Sequence, residues 1–361
     1  MSELKLIVMN NMKEFGAIVN EHLKEIKKEE NDFVIPLNQV RFSNGEGKVK
    51  LLDSVRGKDV FILTDVGNYH ESYEAFGRVH YMGPDEHFQD LKRTIMAIKG
   101  NATRINVIMP LLYESRQHAR NGRESLDCAV ALQELERLGV SNIITFDAHD
   151  PNVENAIPLT SFDNFFLTNT MLSKFILDNK INFNKLLVIS PDEGAMKRSR
   201  YYSGMLNCDI GMFYKRRDYS QIVNGKNPVI EHKYLGKEEE GLEYLIVDDM
   251  IASGGSVIDI LKQLMPRKPK QTYIMATYAF FTNGLEVFNQ AFKDNMFKKI
   301  YTTNLSYLPE ELKKIEWLEI VDCTKYMAEV IHTYHNMDSI SPLMNGRKEM
   351  FELIEKKKME K

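Results

Sequence analysis

The segment VDDMIASGGS, residues 247–256, combines residue types that are suited to binding a sugar phosphate. Glycines let the backbone approach a phosphate closely, and the N–H groups that open a helix stabilise its charge. The adjacent carboxylates Asp248 and Asp249 would repel that phosphate, so we expect them to bind ribose hydroxyls. The alternative without a ligand is a tight strand–helix turn in which the two acids cap the helix. The candidate sugar-phosphate residues are Asp248, Asp249, Ala252, Ser253, Gly254, Gly255 and Ser256.

Nearer the N-terminus, the segment RFSNGE at residues 41–46 places an aromatic residue beside a polar turn. An aromatic ring can stack on a purine while acceptors in the turn bind the exocyclic amine of the base. Because Asn-Gly turns are also common in β-hairpins, the motif alone does not distinguish a nucleotide site from a simple hairpin. The candidate base-binding residues are Phe42, Asn44, Gly45 and Glu46.

The segment SRQHARNGRES at residues 115–125 concentrates three arginines with Gln117 and His118. Planar guanidinium groups bind phosphate oxygens in a bidentate manner, so Arg116, Arg120 and Arg123 make this segment a candidate for binding phosphate. A solvated basic loop is the alternative interpretation.

Three consecutive cations occur in YKRRDYSQIVNGKN, residues 214–227. Phosphoryl-type transfer needs positive groups near the charge that develops as the leaving group departs. Lys215, Arg216 and Arg217 are therefore candidates for this task, and a loop that carries them could close when both substrates are bound. An exposed basic turn is the alternative.

Two further segments, FDAHD at 146–150 and SPDEGAMKRSR at 190–200, each follow an apolar run with a possible ligand for a hard cation. Mg²⁺ prefers oxygen ligands and keeps several waters, so His149 and Asp192 could suffice to hold it against nucleotide oxygens. This pairing depends on the location of both residues at predicted strand ends and not on their spacing.

The elements that carry these segments alternate between short apolar runs and helix-period stretches. Predicted strands include Asp59–Leu63, Ile105–Met109, Asn142–Phe146, Leu186–Ile189, Tyr244–Val247 and Tyr273–Ala276; predicted helices include Glu86–Lys99, Leu126–Leu138, Thr168–Asn179 and Ser256–Leu264. This alternation predicts parallel α/β sheets, whose ligands bind at the carboxyl ends of the strands. Most of the candidate residues follow such strand ends.

Composition narrows the class of protein. A chain of 361 residues predicts about two domains of ~100–200 residues each. The formal net charge of −4 argues against general nucleic-acid binding, which needs a broad basic surface. Three widely spaced cysteines indicate free thiols in a reducing compartment, and the longest apolar run, Tyr273–Phe281, is too short to span a bilayer of ~30 Å. We therefore expect a cytoplasmic protein with no membrane partner.

Taken in order, RFSNGE, the RQ segment, FDAHD, SPDEG, KRR and VDDMIASGGS resemble the motif series of the ribose-phosphate diphosphokinase (phosphoribosyl-pyrophosphate synthetase) family. The resemblance spans nearly the whole chain. It implies an α/β fold of two related type I phosphoribosyltransferase-like domains, each with a mainly parallel sheet flanked by helices. We expect an ATP-side domain at 1–160, joined by the tail 335–361, and a ribose 5-phosphate-side domain at 161–334.

The resemblance also implies a role for each candidate residue. ATP would be bound by Phe42, Asn44, Gly45, Glu46, Arg116 and Gln117. Mg²⁺ would be held by His149 and Asp192, and the transition state would be stabilised by Lys215 and Arg217. Ribose 5-phosphate would be bound by Asp248, Asp249 and the loop 252–256.

The activity that the resemblance implies is attack of the ribose 1-hydroxyl on the β-phosphorus of MgATP, giving phosphoribosyl pyrophosphate and AMP. Positioning and charge neutralisation would carry the catalysis. The family also implies a homo-oligomer, a hexamer or a dimer-based ring. Two alternatives stay open: a phosphoribosyltransferase, which would share only the sugar-phosphate loop, and a non-catalytic regulatory member of the same family.

Several positions depart from the family pattern. Asn44, His118 and Ala252 each stand where the family usually has Asp. Asn44 keeps an acceptor for the adenine amine but lacks the charge, and Ala252 removes one carboxylate near the sugar. These replacements bear on substrate preference and catalytic rate, whereas Lys215 and Arg217 are retained.

Overall fold

The chain forms two compact units. The computed structural model describes residues 2–217 and 229–359, with side chains described for 2–214 and 233–359. The N-terminal unit comprises Met1–Leu167, Asn304–Tyr307 and Asp322–Met344, and the C-terminal unit comprises Thr168–Thr303, Leu308–Val321 and Asn345–Lys361. The domain limits expected from the sequence, 1–160 with 335–361 and 161–334, remain a prediction. By backbone contacts, the end of the tail from Asn345 onward groups with the C-terminal unit.

The described residues contain sixteen strands and ten α-helices. The strands are β1 Leu4–Val8, β2 Leu37–Arg41, β3 Gly47–Leu51, β4 Asp59–Leu63, β5 Ser72–Ala75, β6 Arg78–Tyr81, β7 Arg104–Ile108, β8 Asn142–Phe146, β9 Ser161–Phe165, β10 Leu186–Ser190, β11 Asp209–Arg217, β12 Val229–Leu235, β13 Glu243–Ile251, β14 Gln271–Ala279, β15 Lys299–Thr303 and β16 Leu318–Val321. The helices are α1 Lys13–Lys27, α2 Pro84–Ile98, α3 Asp127–Arg137, α4 Thr168–Asp178, α5 Met196–Leu206, α6 Gly255–Leu264, α7 Glu286–Lys293, α8 Thr324–Asn336, α9 Ser341–Met344 and α10 Arg347–Met359.

The N-terminal unit is built on a five-stranded sheet in the order β1-β4-β7-β8-β9, with every pair parallel. Its strand β4 has the sequence DVFIL and is buried at all five positions, as expected for a parallel strand that is covered on both faces. The predicted strands Asp59–Leu63 and Asn142–Phe146 are confirmed with the same bounds.

Helix α2 shows why the helical stretches fold onto this sheet. Pro84 occupies the first turn, where its missing N–H costs no hydrogen bond, and the Glu86 carboxylate accepts from the Gly83 N–H at 3.0 Å. Apolar residues at helical spacing then bury one face, among them Leu91 and Ile95, which join the core of the unit.

The C-terminal unit contains a seven-stranded sheet in the order β12-β11-β10-β13-β14-β15-β16. Only the β11–β12 pair is antiparallel; the other pairs are parallel. Strand β13 lies at the centre of this order, so its carboxyl end is flanked on one side by β10 and on the other by β14. The predicted α/β class with two mainly parallel sheets is confirmed.

The N-terminal unit also contains two antiparallel hairpins, which are not hydrogen-bonded to its five-stranded sheet. The first pairs β2 with β3 from Leu37↔Leu51 to Arg41↔Gly47, and the second pairs β5 with β6 from Ser72↔Tyr81 to Ala75↔Arg78. The first hairpin carries the Asn-Gly turn expected from RFSNGE, whereas the second was not predicted.

A buried ion-pair network attaches the late helix α8 to the N-terminal sheet. Asp59 is fully buried and accepts hydrogen bonds from Arg104 and from Asn106, the latter at 2.9 Å. The Nδ1 atom of His335 lies 2.9 Å from the same carboxylate. Although burial opposes ionisation, hydrogen bonds from His335 and Arg104 hold the pKa of Asp59 below its usual value.

Among the described helices, none is long and apolar enough to cross a lipid bilayer.

Candidate functional site

The sugar-phosphate loop connects the buried strand β13 to helix α6. Residues Glu243–Val247 of β13 are buried, and the strand ends at Ile251. Helix α6 starts at Gly255, and its first N–H groups, those of Gly255, Ser256 and Val257, have no hydrogen-bond partner within the described residues. Unpaired N–H groups at a helix N-terminus attract an anion, so the loop has the donors that a phosphate requires.

Gly254 gives the loop its backbone shape. Its φ of 83° lies in the left-handed region, which glycine adopts without steric cost. A Cβ atom at this position would lie 2.2 Å from Cζ of the buried Phe288. The loop therefore rests directly on an aromatic ring that packs in turn on Phe281 and Trp317.

The carboxylates at the end of β13 differ in exposure and lie next to each other. Asp249 is buried and Asp248 is half-buried. Burial and the neighbouring Asp249 carboxylate raise the pKa of Asp248 well above its usual range, while the Arg198 guanidinium opposes the shift. In this half-buried position part of the Asp248 side chain stays accessible, as is required of a group that accepts hydrogen bonds from sugar hydroxyls.

Asp192 lies on the loop between β10 and α5, beside the end of β13. The Oδ1 atom of Asp192 accepts a hydrogen bond from the Ala195 N–H at 3.1 Å, and Ser190 Oγ donates to the Asp192 carbonyl at 2.8 Å. The side chain is exposed, and its charge contributes to raising the pKa of Asp248. The structure thus brings together three predicted residues of the C-terminal unit, Asp192, Asp248 and Asp249.

The base-binding turn joins β2 to β3 in the N-terminal unit. Phe42 donates its N–H to the Glu46 carbonyl at 2.8 Å, and Gly45 has a φ of 86°. The Asn44 amide donates to the Glu46 carboxylate at 2.9 Å, while the Glu46 N–H donates to Asn44 Oδ1 at 3.2 Å. Phe42, Asn44 and Glu46 are all exposed, so an aromatic face and two polar side chains are accessible at one turn.

The RQ segment forms a short 3-10 helix, Ser115–Gln117, after strand β7. Arg116 is exposed, and Gln117 donates through Nε2 to the Ser125 carbonyl at 3.0 Å. The hydroxyl of Ser115 accepts a hydrogen bond from the His149 N–H at 2.9 Å, which ties this segment to the end of β8.

His149 is exposed and has a histidine neighbour. The ring centroids of His118 and His149 lie 5.4 Å apart, and His118 Nε2 lies 3.7 Å from Asp150 Oδ2. His149 and Asp192, the predicted Mg²⁺ ligands, belong to different units. Over the described parts of the chain, no cluster of three or more His, Cys, Asp and Glu side chains has the arrangement of a metal site. Each of the two side chains is exposed, and Mg²⁺ keeps several waters, so each by itself is compatible with a ligand to such a cation.

The predicted catalytic pair lies on strand β11. Lys215 pairs with His232 and Arg217 with Val229 of β12, and the register shifts between Arg216 and Arg217. The side chains of Lys215 and Arg217 lie outside the described residues, as does the segment 218–228 that follows them.

Two contacts in the N-terminal unit were not predicted from the sequence. One lies beside the turn 42–46, and the other lies after strand β4. Arg41 forms a bidentate ion pair with the buried Asp90, with both distances at 2.9 Å. Asp65 accepts from Ser306 Oγ at 3.0 Å and from the Tyr307 N–H at 2.8 Å. The position of Asp65 after the predicted strand Asp59–Leu63 was a signal, but its partners are more than 240 residues away.

Two sheets of this kind, with a glycine loop between a paired-carboxylate strand end and a helix, define a phosphoribosyltransferase-type α/β protein. Residues 4–139 match the family model described as the N-terminal domain of ribose phosphate pyrophosphokinase, and residues 159–311 match the phosphoribosyl transferase domain.

Relatives and solved structures agree with this class. A ribose-phosphate pyrophosphokinase of Burkholderia pseudomallei is 30% identical over 69% of this chain and 73% of that protein. One of Fusobacterium nucleatum is 26% identical over 94% of this chain and all of that protein. The phosphoribosylpyrophosphate synthetase of Mycobacterium smegmatis has the same fold, with a TM-score of 0.76 at 21% identity over 93% of this chain and 99% of that chain. The chain belongs to the ribose-phosphate pyrophosphokinase family.

Proposed function

We propose that the protein is a ribose-phosphate diphosphokinase that transfers diphosphate from MgATP to the 1-hydroxyl of ribose 5-phosphate. The products are phosphoribosyl pyrophosphate and AMP. The observation that carries this proposal is the junction of β13 and α6, where Asp248 and Asp249 in the last part of the strand are followed by a helix N-terminus with unpaired N–H groups. Family membership supports it.

The loop supports a division of tasks in binding ribose 5-phosphate. The 5-phosphate binds at the loop 252–256, where the unpaired N–H groups at the start of helix α6 donate to it and the helix terminus stabilises its charge. The ribose 2′- and 3′-hydroxyls donate to Asp248 and Asp249. This arrangement resolves the conflict between a phosphate and neighbouring acids, because each part of the ligand meets the group of complementary character.

The ATP side of the proposal depends on exposed groups of the N-terminal unit. Phe42 stacks on adenine, and the acceptors of Asn44 and Glu46 bind its exocyclic amine. Arg116 and Gln117 bind the phosphates. His149 and Asp192 would hold Mg²⁺, which would supply positive charge for the phosphates of ATP.

Lys215 and Arg217 are proposed to stabilise the charge that develops on the transferred group. Their retention favours a catalytic protein over a non-catalytic regulatory member. No covalent intermediate is needed, since the 1-hydroxyl attacks the β-phosphorus in line and AMP departs.

The departures from the family pattern have local structural consequences. Ala252 supplies no carboxylate, but its carbonyl accepts from the Thr282 N–H at 2.9 Å and fixes the start of the loop. Asn44 donates to Glu46, a contact that an aspartate could not make. Each of the two replacing residues therefore takes part in a local hydrogen bond, Ala252 through its carbonyl and Asn44 through its side chain.

The decisive experiment incubates the purified protein with MgATP and ribose 5-phosphate and identifies the products by mass. We expect AMP and phosphoribosyl pyrophosphate in equal amounts. Product that forms only when a preformed phosphoribosyl pyrophosphate and a base are added would instead identify a phosphoribosyltransferase. No product alone, together with an altered rate of an active synthetase, would identify a regulatory member. The homo-oligomeric state remains a prediction, which sedimentation of the same sample measures.

A further inference from the structure

We propose that Phe76, at the tip of the β5–β6 hairpin, forms a second aromatic wall for the nucleotide base opposite Phe42. The inference rests on the proposed function, because it assigns the base of ATP to the turn 42–46. It adds a residue that lies outside every motif of the sequence analysis.

The tips of the two hairpins are joined directly. The Phe76 N–H donates to the Ser43 carbonyl at 3.1 Å, so the tip of β5–β6 lies against the turn that carries Phe42, Asn44 and Glu46. Both tips belong to the N-terminal unit. A residue at this tip therefore lies within reach of a base that stacks on Phe42.

The side chains of Phe42 and Phe76 are both available to a ligand. Phe76 is 74% exposed and Phe42 is 48% exposed. Neither ring has an aromatic neighbour within the part of the chain that the structure describes. Two exposed rings on adjoining tips can enclose a planar heterocycle, which stacks on any aromatic face.

The turn at Phe76 favours a ligand role over a purely structural one. Phe76 has a φ of 52° and Gly77 a φ of 68°, the positive values that a two-residue turn of this hand requires at both positions. Asparagine is the residue that such a turn prefers at its first position, and phenylalanine adopts this conformation at a cost. Because most of the ring is in solvent, packing within the described residues does not offset that cost.

The hairpin is held rigidly behind its tip. The Arg41 guanidinium lies 5.3 Å from the centroid of the Tyr73 ring, and that ring stacks on His80 with centroids 5.4 Å apart. The Tyr73 hydroxyl donates to the Glu86 carboxylate at 2.8 Å, which anchors the hairpin to helix α2. A ring on a rigid support loses little conformational entropy when a ligand binds.

The test uses Phe76→Asn, which removes the ring while placing in the turn the residue that it prefers. We expect an equal or higher melting temperature together with weaker binding of MgATP, by about five- to 100-fold, the range for loss of one stacked aromatic. Binding is measured by calorimetry on the full chain without ribose 5-phosphate. Magnesium tripolyphosphate, which has the phosphates but no base, should bind parent and variant equally.

Two further variants serve as controls. One changes another exposed side chain of the hairpin, and the other keeps an aromatic ring at position 76. Val79→Thr alters an apolar side chain that is 58% exposed on the same hairpin, and it should leave MgATP binding unchanged. Phe76→Tyr restores an aromatic ring and should restore binding to within about twofold of the parent.

The inference is overturned if Phe76→Asn binds MgATP as tightly as the parent, or if it weakens tripolyphosphate binding by the same factor. It is also overturned if the variant changes only the sedimentation of the protein, which would make the tip a contact between copies of the chain. In each of these cases the parent still converts ATP and ribose 5-phosphate to AMP, so the proposed function stands. A parent that neither binds MgATP nor forms AMP refutes both.

Discussion

The sugar-phosphate loop and the base-binding turn offer their ligands different parts of the chain. In the loop after β13 the groups proposed to bind phosphate are backbone N–H groups, and the loop rests on the buried ring of Phe288. In the turn after β2 the groups proposed to bind the base are exposed side chains, with Asn44 and Glu46 hydrogen-bonded to each other. A backbone site depends on conformation and is sensitive to an added Cβ atom where there is no space for it, as at Gly254. A side-chain site tolerates a replacement that keeps a suitable polar group. Asn44, which stands in the place of the family's usual Asp, is consistent with this.

The largest effect is expected outside both regions, at Lys215 and Arg217. Alanine at either position should lower kcat by about 100- to 1000-fold, because one group that stabilises the transition state is lost. The KM for ATP should change much less. Arg216→Ala removes the same charge from the same strand and should have a far smaller effect. Equal losses in kcat and in ATP affinity would place these cations in ground-state binding.

Gly254→Ala should damage the backbone site severely. The new Cβ atom meets Phe288 at 2.2 Å, and alanine at a φ of 83° is strained. We expect kcat/KM for ribose 5-phosphate to fall by about 100-fold, the consequence of displacing the loop by about 1 Å.

Gly255→Ala is the matched control for stability in the same loop. Its Cβ atom would have Ser253 Oγ, at 3.9 Å, as its nearest neighbour. Thermal unfolding should therefore show a loss for Gly254→Ala and little change for Gly255→Ala. Equal melting temperatures for the two variants would refute the role of Phe288 as the support of the loop.

Asp248→Ala tests binding of the ribose hydroxyls independently of binding of the 5-phosphate. Losing these hydrogen bonds leaves the bound sugar hydroxyls without a partner, which should raise the KM for ribose 5-phosphate by about 10- to 100-fold. The KM for ATP should stay within about twofold, because adenine is assigned to the other unit. An unchanged KM for the sugar would show that the ribose hydroxyls bind elsewhere.

Asp65→Asn tests an anchor that belongs to neither binding region. Burial raises the pKa of Asp65 to about 6, although hydrogen bonds from Tyr307, Gly67 and Ser306 oppose the shift. A raised pKa in the folded protein contributes stability at low pH, and that contribution is lost as the pH rises through about 6. The unfolding free energy of the parent relative to the variant should fall by about 2 kcal/mol between pH 4 and 7.

The measurement for Asp65 is the melting temperature of both proteins across that pH range. Taking the difference between parent and variant removes the contribution of other carboxylates, such as Asp59, whose pKa is lowered and whose pH dependence has the opposite sign. A difference that grows with pH would contradict the direction of the shift.

The smallest effect is expected for Asn44→Asp in the side-chain site. Aspartate restores the family's usual residue but replaces the Asn44 donor with a charge facing Glu46 at an exposed turn. Because exposed like charges repel weakly, the KM for ATP should change by about threefold or less. A change of more than tenfold would show that the turn is as exacting as the loop.

The fold followed from the sequence because each parallel strand is a short, buried apolar run with its own local signal. The bounds of β4 and β8 agree with the predicted ones, and α4 and α6 end or begin within one residue of theirs. The β5–β6 hairpin escaped because its strands of four residues are mostly exposed and its turn has Phe76 where asparagine is typical.

The candidate site was predictable wherever its chemistry lies in one segment. The loop 252–256 and the acids before it lie in one continuous segment that joins β13 to α6, and the turn 42–46 is likewise continuous. The contacts of Asp65 with Ser306 and Tyr307 could not be predicted, since a hydrogen bond between residues far apart in sequence leaves no spacing pattern.

The attachment of helix α8 to Asp59 has a consequence for synthesis on the ribosome. The fully buried carboxylate of Asp59 and the His335 ring beside it are separated by 276 positions in the chain. During translation, the early sheet must remain with this acid only partly neutralised until nearly the whole polypeptide has emerged. Nascent chains truncated before α8 should therefore engage chaperones that full-length chains escape.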